Sequence, residues 1–254
     1  MPKPNKILGI DVGGTGIKGA PVHLGKGTLA DERARVLTPK PATPEAVAAT
    51  VAEIMRRYRW QGPVGCALPS RVRRGITETA VNIDDTWKGL DAAALFSRVC
   101  RAPVAVLNDA DAAGLAEVTF GAGRGVRGVV LMLTFGTGLG SSLFVDGRLA
   151  PNLELGHLYA ADGVILEATA ADSARKRDAL SWEAWAKERV QPALEHLEFL
   201  FAPDLIVVGG GVSKPERWKQ FGHLLRTQAT LRPAELGNSA GIVGAAYAAQ
   251  RLLD

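Results

Sequence analysis

The 254-residue sequence is short of several things at once, and each shortage closes a class of function. No apolar run approaches the ~18 residues that a membrane-spanning helix needs, so no membrane partner is expected. The opening MPKPNKILGI carries lysines, only a short apolar stretch and no small-residue cleavage site, so no signal peptide is expected and the protein reads as cytoplasmic. Only two cysteines occur, Cys66 and Cys100, each inside an apolar segment (VGCAL and FSRVC). They are too few for a zinc site and read as core thiols of a reducing compartment. The net charge is only +4, from 30 Lys and Arg against 26 Asp and Glu, scattered along the chain. That balance gives no reason to expect nucleic acid as a partner and fits a local anion site better. No low-complexity tract is present, and no Gly-x4-Gly-Lys-Ser/Thr, which excludes a P-loop.

What is there is a chain 47% hydrophobic, enough to bury a core as one large domain or as two lobes of roughly 100–150 residues. Residues 9–19, GIDVGGTGIKG, contain Gly14-x-Gly16-x-x-Gly19, a formal dinucleotide fingerprint. That fingerprint needs a helix opening inside the motif. Pro21, Gly25 and Gly27 would all fall within such a helix, so strand, glycine turn and strand is the expected order. Another formal match, Gly123-x-Gly125-x-x-Gly128, carries no more weight. After a rigid TPKPATP linker, Thr43 and Pro44 start a helix running to about Tyr58 with Val47, Val51, Ile54 and Met55 as its apolar face. GPVGCALP is expected as a strand, 91–100 as a helix, APVAVLN as a buried strand and DADAAGLAEVTF as a helix with its acids at the start. RGVVLMLTFGTGLGSSLFVDGRLA then repeats the opening pattern, down to an Asp146-Gly147 hairpin turn, and reads as an internal duplication. Residues 181–201 are expected helical, kinked or split by Pro192. PDLIVVGGGVS is a strand ending in three glycines, and NSAGIVGAAYAAQRLL is a closing helix whose small residues permit close packing.

Three glycine loops therefore follow three strands: DVGGTG (11–16), TFGTGLG (134–140) and VGGGVS (208–213). Glycine lets backbone N–H groups converge on an anion with no Cβ in the way. One such loop is ordinarily a structural turn. Three of them, duplicated and joined by an aspartate, point to phosphate. Asp109, at a strand-to-helix junction in NDADAAG, can accept the proton of an attacking hydroxyl or simply cap the helix. Asp111 is the better purely helix-stabilising acid. In ELGH, Glu154 and His157 can grip vicinal hydroxyls of a sugar as acceptor and donor, and no other His or Cys lies at metal-ligand spacing from His157.

IDVGGTGIKG, LNDADAAGLAE, LTFGTGLGS, ELGHL, VVGGGVS and NSAGIVGAA follow one another as in the ROK family of sugar kinases, which the sequence resembles over essentially its whole length. With TPKPATP and NIDDTW, the spacing is most similar to the polyphosphate-using glucokinases of that family. The resemblance implies an α/β, two-lobed actin-like and ribonuclease H-like fold with a central cleft and duplicated β-hairpin phosphate loops. It implies a small lobe over 1–107 closed by the C-terminal helix 239–254, and a larger lobe over 108–238. Asp109 matches the catalytic base. Asn82, Asn108, Glu154 and His157 match sugar-hydroxyl contacts, and Glu167 is the nearest candidate for a further sugar glutamate. Asp11 matches the acid that orients Mg²⁺ through water. Gly13, Gly14, Thr15, Gly136, Thr137 and Gly138 match the phosphate loops, with Gly210 and Gly211 on the donor side. Lys18 and Lys214 are the cations expected to meet the donor.

The sequence departs from the family pattern in two places. The cysteine-rich zinc loop that ATP-dependent relatives carry after Glu-x-Gly-His is missing, so no structural zinc is expected. The sugar-side Pro-Gly reads Pro69-Ser70, which leaves mannose beside glucose as acceptor. The implied reaction is phosphoryl transfer from polyphosphate, with ATP as second donor, to the glucose 6-hydroxyl in a homodimeric enzyme. The alternatives are a strictly ATP-dependent hexokinase and a non-catalytic sugar-responsive regulator. The regulators carry an N-terminal helix-turn-helix, whereas here the first phosphate strand begins by about Ile7.

Overall fold

Apolar runs bounded by glycine, proline and aspartate become elements close to where the sequence puts them. In the computed structural model, which describes residues 5–160 and 163–253, KILGIDV is strand β1 (Lys6–Val12) and GIKGAPVH is β2 (Gly16–His23). The two pair antiparallel from Lys6 opposite His23 to Val12 opposite Ile17. The fingerprint-like glycines thus lie in a hairpin, with no helix beginning among them. The extended run up to Leu37 is two short strands, β3 (Thr28–Leu29) and β4 (Ala34–Leu37), both antiparallel to β2. Helix α1 (Pro44–Arg57) is capped by Thr43, whose side chain accepts the Ala46 N–H, and Pro44 sits in the first turn, where its missing N–H costs nothing. Val47, Val51, Ile54 and Met55 are buried.

Strand β5 (Val64–Leu68) leads through a small hairpin, β6 (Val72–Arg73) and β7 (Ile76–Thr77), to α2 (Ala92–Cys100), which Asp91 caps. Strand β8 (Val104–Asn108) runs straight into α3 (Asp109–Phe120). β8 is only half buried, contrary to the reading of APVAVLN, because it ends the strand order β3-β2-β1-β5-β8 and has a neighbour on one side alone.

The pattern then recurs as β9 (Val129–Phe135), β10 (Leu139–Val145) and β11 (Arg148–Ala150). The β10–β11 turn has positive φ at both Asp146 and Gly147, as a tight twisted hairpin requires. Two short helices follow, α4 (Leu166–Ala170) and α5 (Asp172–Arg177). Pro192 splits the next helical stretch into α6 (Trp182–Trp185), a π turn over Ala186–Val190 and α7 (Gln191–Phe201). The wide turn absorbs the bond that proline cannot donate. β12 (Leu205–Gly210), α8 (Pro215–Phe221), β13 (Thr230–Pro233) and α9 (Ala240–Ala249) complete the order.

The second sheet runs β11-β10-β9-β12-β13. In both sheets a glycine-turned antiparallel hairpin is flanked by a parallel strand, β5 beside β1 and β12 beside β9. The duplication is therefore one of topology as well as of motif. By internal packing the chain divides into Met1–Ala116 with Ser239–Asp254, and Glu117–Asn238. The first unit's core joins β1, β5, α1 and α2 around Trp87 and Phe96. Helix α9 lies backbone to backbone on β1 and β5: a Cβ on Gly9 would strike the Ile242 carbonyl, and one on Gly65 the Ala245 carbonyl. The second unit's core is aromatic: Trp182, Trp185 and Phe221 are in mutual ring contact and Phe135 meets the edge of Trp185, at centroid distances of 5.1–5.7 Å. Among the described residues no helix is long and apolar enough to cross a membrane.

Candidate active site

In the first unit the candidate residues gather at the carboxyl ends of three neighbouring parallel strands, where open α/β sheets place ligands. Asp11 pairs in register with Ala67, and Ala67 with Leu107, so Asn108 and Asp109 lie two strand spacings, roughly 10 Å, from Asp11. Asp11 sits opposite Lys18 across the hairpin, with Lys18 Nζ 3.5 Å from its Oδ2. It also packs against Gly241 in the first turn of α9, where a Cβ would come within 3.0 Å of Cγ. Burial pushes its carboxyl above the ordinary range, and Lys18 and Arg33 pull it back only in part.

The Gly13–Gly16 turn is closed by Gly13 N–H to Gly16 O at 3.1 Å, and Thr15 stands exposed at its tip. Gly14 leans on Asn82, where a Cβ would lie 3.0 Å from the Asn82 Cβ. Asn82 is itself held in the left-handed region at φ 59°. The N-cap of α3 is Asn108: its Oδ1 accepts the Asp111 N–H at 3.0 Å, and its Nδ2 donates to Ser70 O at 3.1 Å. Asp109 therefore heads the helix without being its cap, and its Oδ1 accepts the adjacent Ala110 N–H at 2.8 Å. Ser70 is buried and its hydroxyl donates to Thr79 O at 2.6 Å. Its Oγ holds its own loop closed.

In the second unit, Phe135 pairs with Gly210, which sets the Gly136–Gly138 turn beside the triple-glycine loop. Gly210 must be glycine: its φ is 83°, and a Cβ would press on Phe135 backbone. Arg217 donates to Gly211 O at 3.0 Å, bracing that loop. Lys214, Lys219, Trp218 and Arg232 share with Gly210 the wall of a cavity of about 510 Å³. Arg71 and Arg73 are engaged with Glu78. His157 is largely exposed, with Nδ1 3.9 Å from Glu154 Oε2.

Two serines that sequence reasoning passed over organise this region. Ser141 accepts the Leu155 N–H at 3.0 Å and donates to Leu153 O at 2.8 Å, tying the Glu154–His157 turn to β10. Ser173 bonds to the Gly136–Thr137 backbone. Both follow glycine-loop or acidic motifs, but long-range partners leave no local signal. Glu167 accepts the Leu139 N–H at 2.8 Å, at the end of the second glycine turn. Among the described residues no three His, Cys, Asp or Glu side chains cluster to hold a metal. Asp11 alone is the donor set that suits a hydrated Mg²⁺ shared with substrate phosphates, as opposed to an all-protein cage.

The chain belongs to the ROK family, whose model matches residues 7–174. It is 45% identical over 95% of its length to a polyphosphate glucokinase of Mycobacterium tuberculosis strain CDC 1551 / Oshkosh, of which it spans 90%. Among solved structures it is similar to an inorganic polyphosphate/ATP-glucomannokinase from Arthrobacter sp. strain KM, at 46% identity and TM-score 0.91, covering 99% of this chain and 100% of that one. A ROK family glucokinase from Streptomyces griseus, in complex with glucose and AMPPNP, matches at 26% identity and TM-score 0.76 over 97% of this chain and 99% of that one.

Proposed function

We propose that the protein transfers the terminal phosphoryl group of inorganic polyphosphate to the 6-hydroxyl of glucose, giving glucose 6-phosphate, with ATP as a second donor. The observation that carries this reading is the duplicated hairpin. Two glycine loops, each with an exposed threonine, occur in a chain that also sets Asp109 at the carboxyl end of a parallel strand. The names of relatives 45% and 46% identical support the donor and acceptor.

In this reaction glucose O6 forms a bond to phosphorus as the bridging P–O bond of the donor breaks. The hydroxyl proton passes to Asp109, and the shortened chain departs with the charge. Asn82, Glu154 and His157 hold the sugar hydroxyls. Asn108 keeps the head of α3 in place and has one amide N–H beyond those bonds for the sugar. The glycine-loop amides, Lys18 and Lys214 receive the donor's oxygens. Asp11 would hold Mg²⁺ through water, and the bound ion would supply positive charge against the negative charge on the phosphoryl group. Mannose as a second acceptor, a homodimer and a cytoplasmic location complete the proposal.

The test compares initial rates with purified long-chain polyphosphate and with ATP at matched Mg²⁺, on glucose and on mannose. Turnover with polyphosphate is expected. Activity confined to ATP would replace this reading with a strictly ATP-dependent hexokinase, and none with either donor would sink the kinase assignment.

A further inference from the structure

The backbone of the second glycine loop is gripped from one side. Ser173 N–H donates to Gly136 O at 3.0 Å and Ser173 Oγ donates to Thr137 O at 2.6 Å, both from the first turn of α5. In a trans peptide the N–H points opposite to the C=O of the same plane. Fixing the carbonyls of Gly136 and Thr137 towards α5 therefore turns the N–H groups of Thr137 and Gly138, two in succession, to the other side. Successive N–H groups so aligned form an anion-binding concavity.

Glu167 completes the grip. Its Oε2 accepts the Leu139 N–H, and its carboxylate lies over Gly138 so closely that a Cβ there would strike it. The grip is stiff on both flanks. Asp172, beside Ser173, is buried and bonded to Arg175 at 2.9 Å and Lys176 at 2.6 Å, and Arg175 lies 3.9 Å over the Trp182 ring. Behind α4, Leu166 N–H donates to Leu158 O, immediately after His157.

We infer that Ser173 and Glu167 are positioning residues that aim the Thr137 and Gly138 amides at the donor's transferring phosphoryl group. This inference rests on the phosphoryl-transfer reading and gives Glu167 a task on the phosphate loop, carried by the one carboxylate oxygen that the Leu139 N–H engages. Neither residue touches the reacting atoms. Each acts through backbone that does.

The experiment uses the full chain with Glu167→Ala, Glu167→Gln, Ser173→Ala and Ser173→Thr. Three quantities are read: kcat/KM for donor and for sugar separately, affinity for tripolyphosphate by titration calorimetry, and hydrogen exchange at the Leu139 amide. Glu167→Ala is expected to lower donor kcat/KM roughly tenfold, less than the 10²–10³ of losing an oxyanion donor outright. It should weaken tripolyphosphate binding measured without sugar and speed Leu139 exchange. Glu167→Gln keeps an acceptor oxygen and should recover most of the loss, and Ser173→Thr should do the same relative to Ser173→Ala. A change confined to sugar KM, or donor parameters and Leu139 exchange unmoved in Glu167→Ala, overturns the inference. A wild-type chain that transfers no phosphoryl group fails the functional reading, and tripolyphosphate affinity in the variants still judges the grip.

Discussion

The two hairpins share a plan and divide its duties. Asp11 and Thr134 are equivalent, each next to last in its strand, opposite Lys18 and Gly140 across the hairpin and beside Ala67 and Gly209 in the parallel neighbour. Thr15 and Thr137 stand exposed at the two turns. The first hairpin carries its own charge, Asp11 with Lys18. The second carries none in its loop and is shaped from outside by Glu167 and Ser173. On the proposed reading, duplication supplied two phosphate cradles, and divergence made one the electrostatic partner and the other an orienting frame.

The sharpest way to test that division is to remove the proposed proton acceptor beside the first hairpin. Asp109→Asn should cut turnover about 10²–10⁴-fold with sugar affinity nearly intact, read by steady-state kinetics and sugar titration. Near wild-type turnover would rule Asp109 out as the base. Next come the equivalent strand positions. Asp11→Asn should lose about 10–100-fold in Mg²⁺-dependent activity, as loss of an indirect metal partner does, whereas Thr134→Val should lose far less. Equal losses would erase the asymmetry.

Asp11→Asn has a further consequence for stability. Its folded pKa is raised, so its contribution is most favourable below the ordinary carboxylate range and declines as pH rises through the raised value. The Asn variant should therefore unfold at no lower denaturant concentration than wild type at neutral pH, and a marked loss there would contradict the cost assigned to burial. Within the second loop, Gly138→Ala meets the Glu167 carboxylate, while a Cβ on Gly136 meets nothing within 4 Å. Gly138→Ala should cost about 1–3 kcal/mol or displace Glu167, and Gly136→Ala much less, by denaturant titration.

The smallest expected effect concerns the base of the frame. Burial raises the Asp172 carboxyl, but hydrogen bonds from Lys176 and Arg175 outweigh it and hold the group below its usual range. Its stabilising contribution is present above the unfolded value and is lost as pH falls through the depressed one, below about 4. Asp172→Asn should accordingly lower the unfolding midpoint slightly at pH 7, and the gap to wild type should close in acid.

Much of this was legible in the chain itself, for physical reasons. Thr43-Pro44, Asp146-Gly147 and the alternating strands act over a few residues, so their outcome follows from local chemistry. The hairpin reading held because Pro21 and the following glycines forbid a helix. The roles of Asn108, Ser70, Ser141 and Ser173 were not legible. Each is decided by a carbonyl or N–H from 3 to 38 residues away, and a serine looks the same whether it faces a ligand or a neighbouring turn. β13 escaped because it is short and ends in Pro233, which is tolerated only because the strand lies at a sheet edge.

The fit of α9 onto Gly9 and Gly65 also sets an order of assembly. Residues 117–238 are continuous, whereas the first unit needs a helix encoded after them. On a ribosome adding ~5–20 residues per second, the β1–β5 surface waits on the order of ten seconds for its cover while the unit encoded in between can already close. The glycine backbone of the nascent first sheet therefore stays without its native cover until nearly the last residues are made, and the first unit cannot close before them.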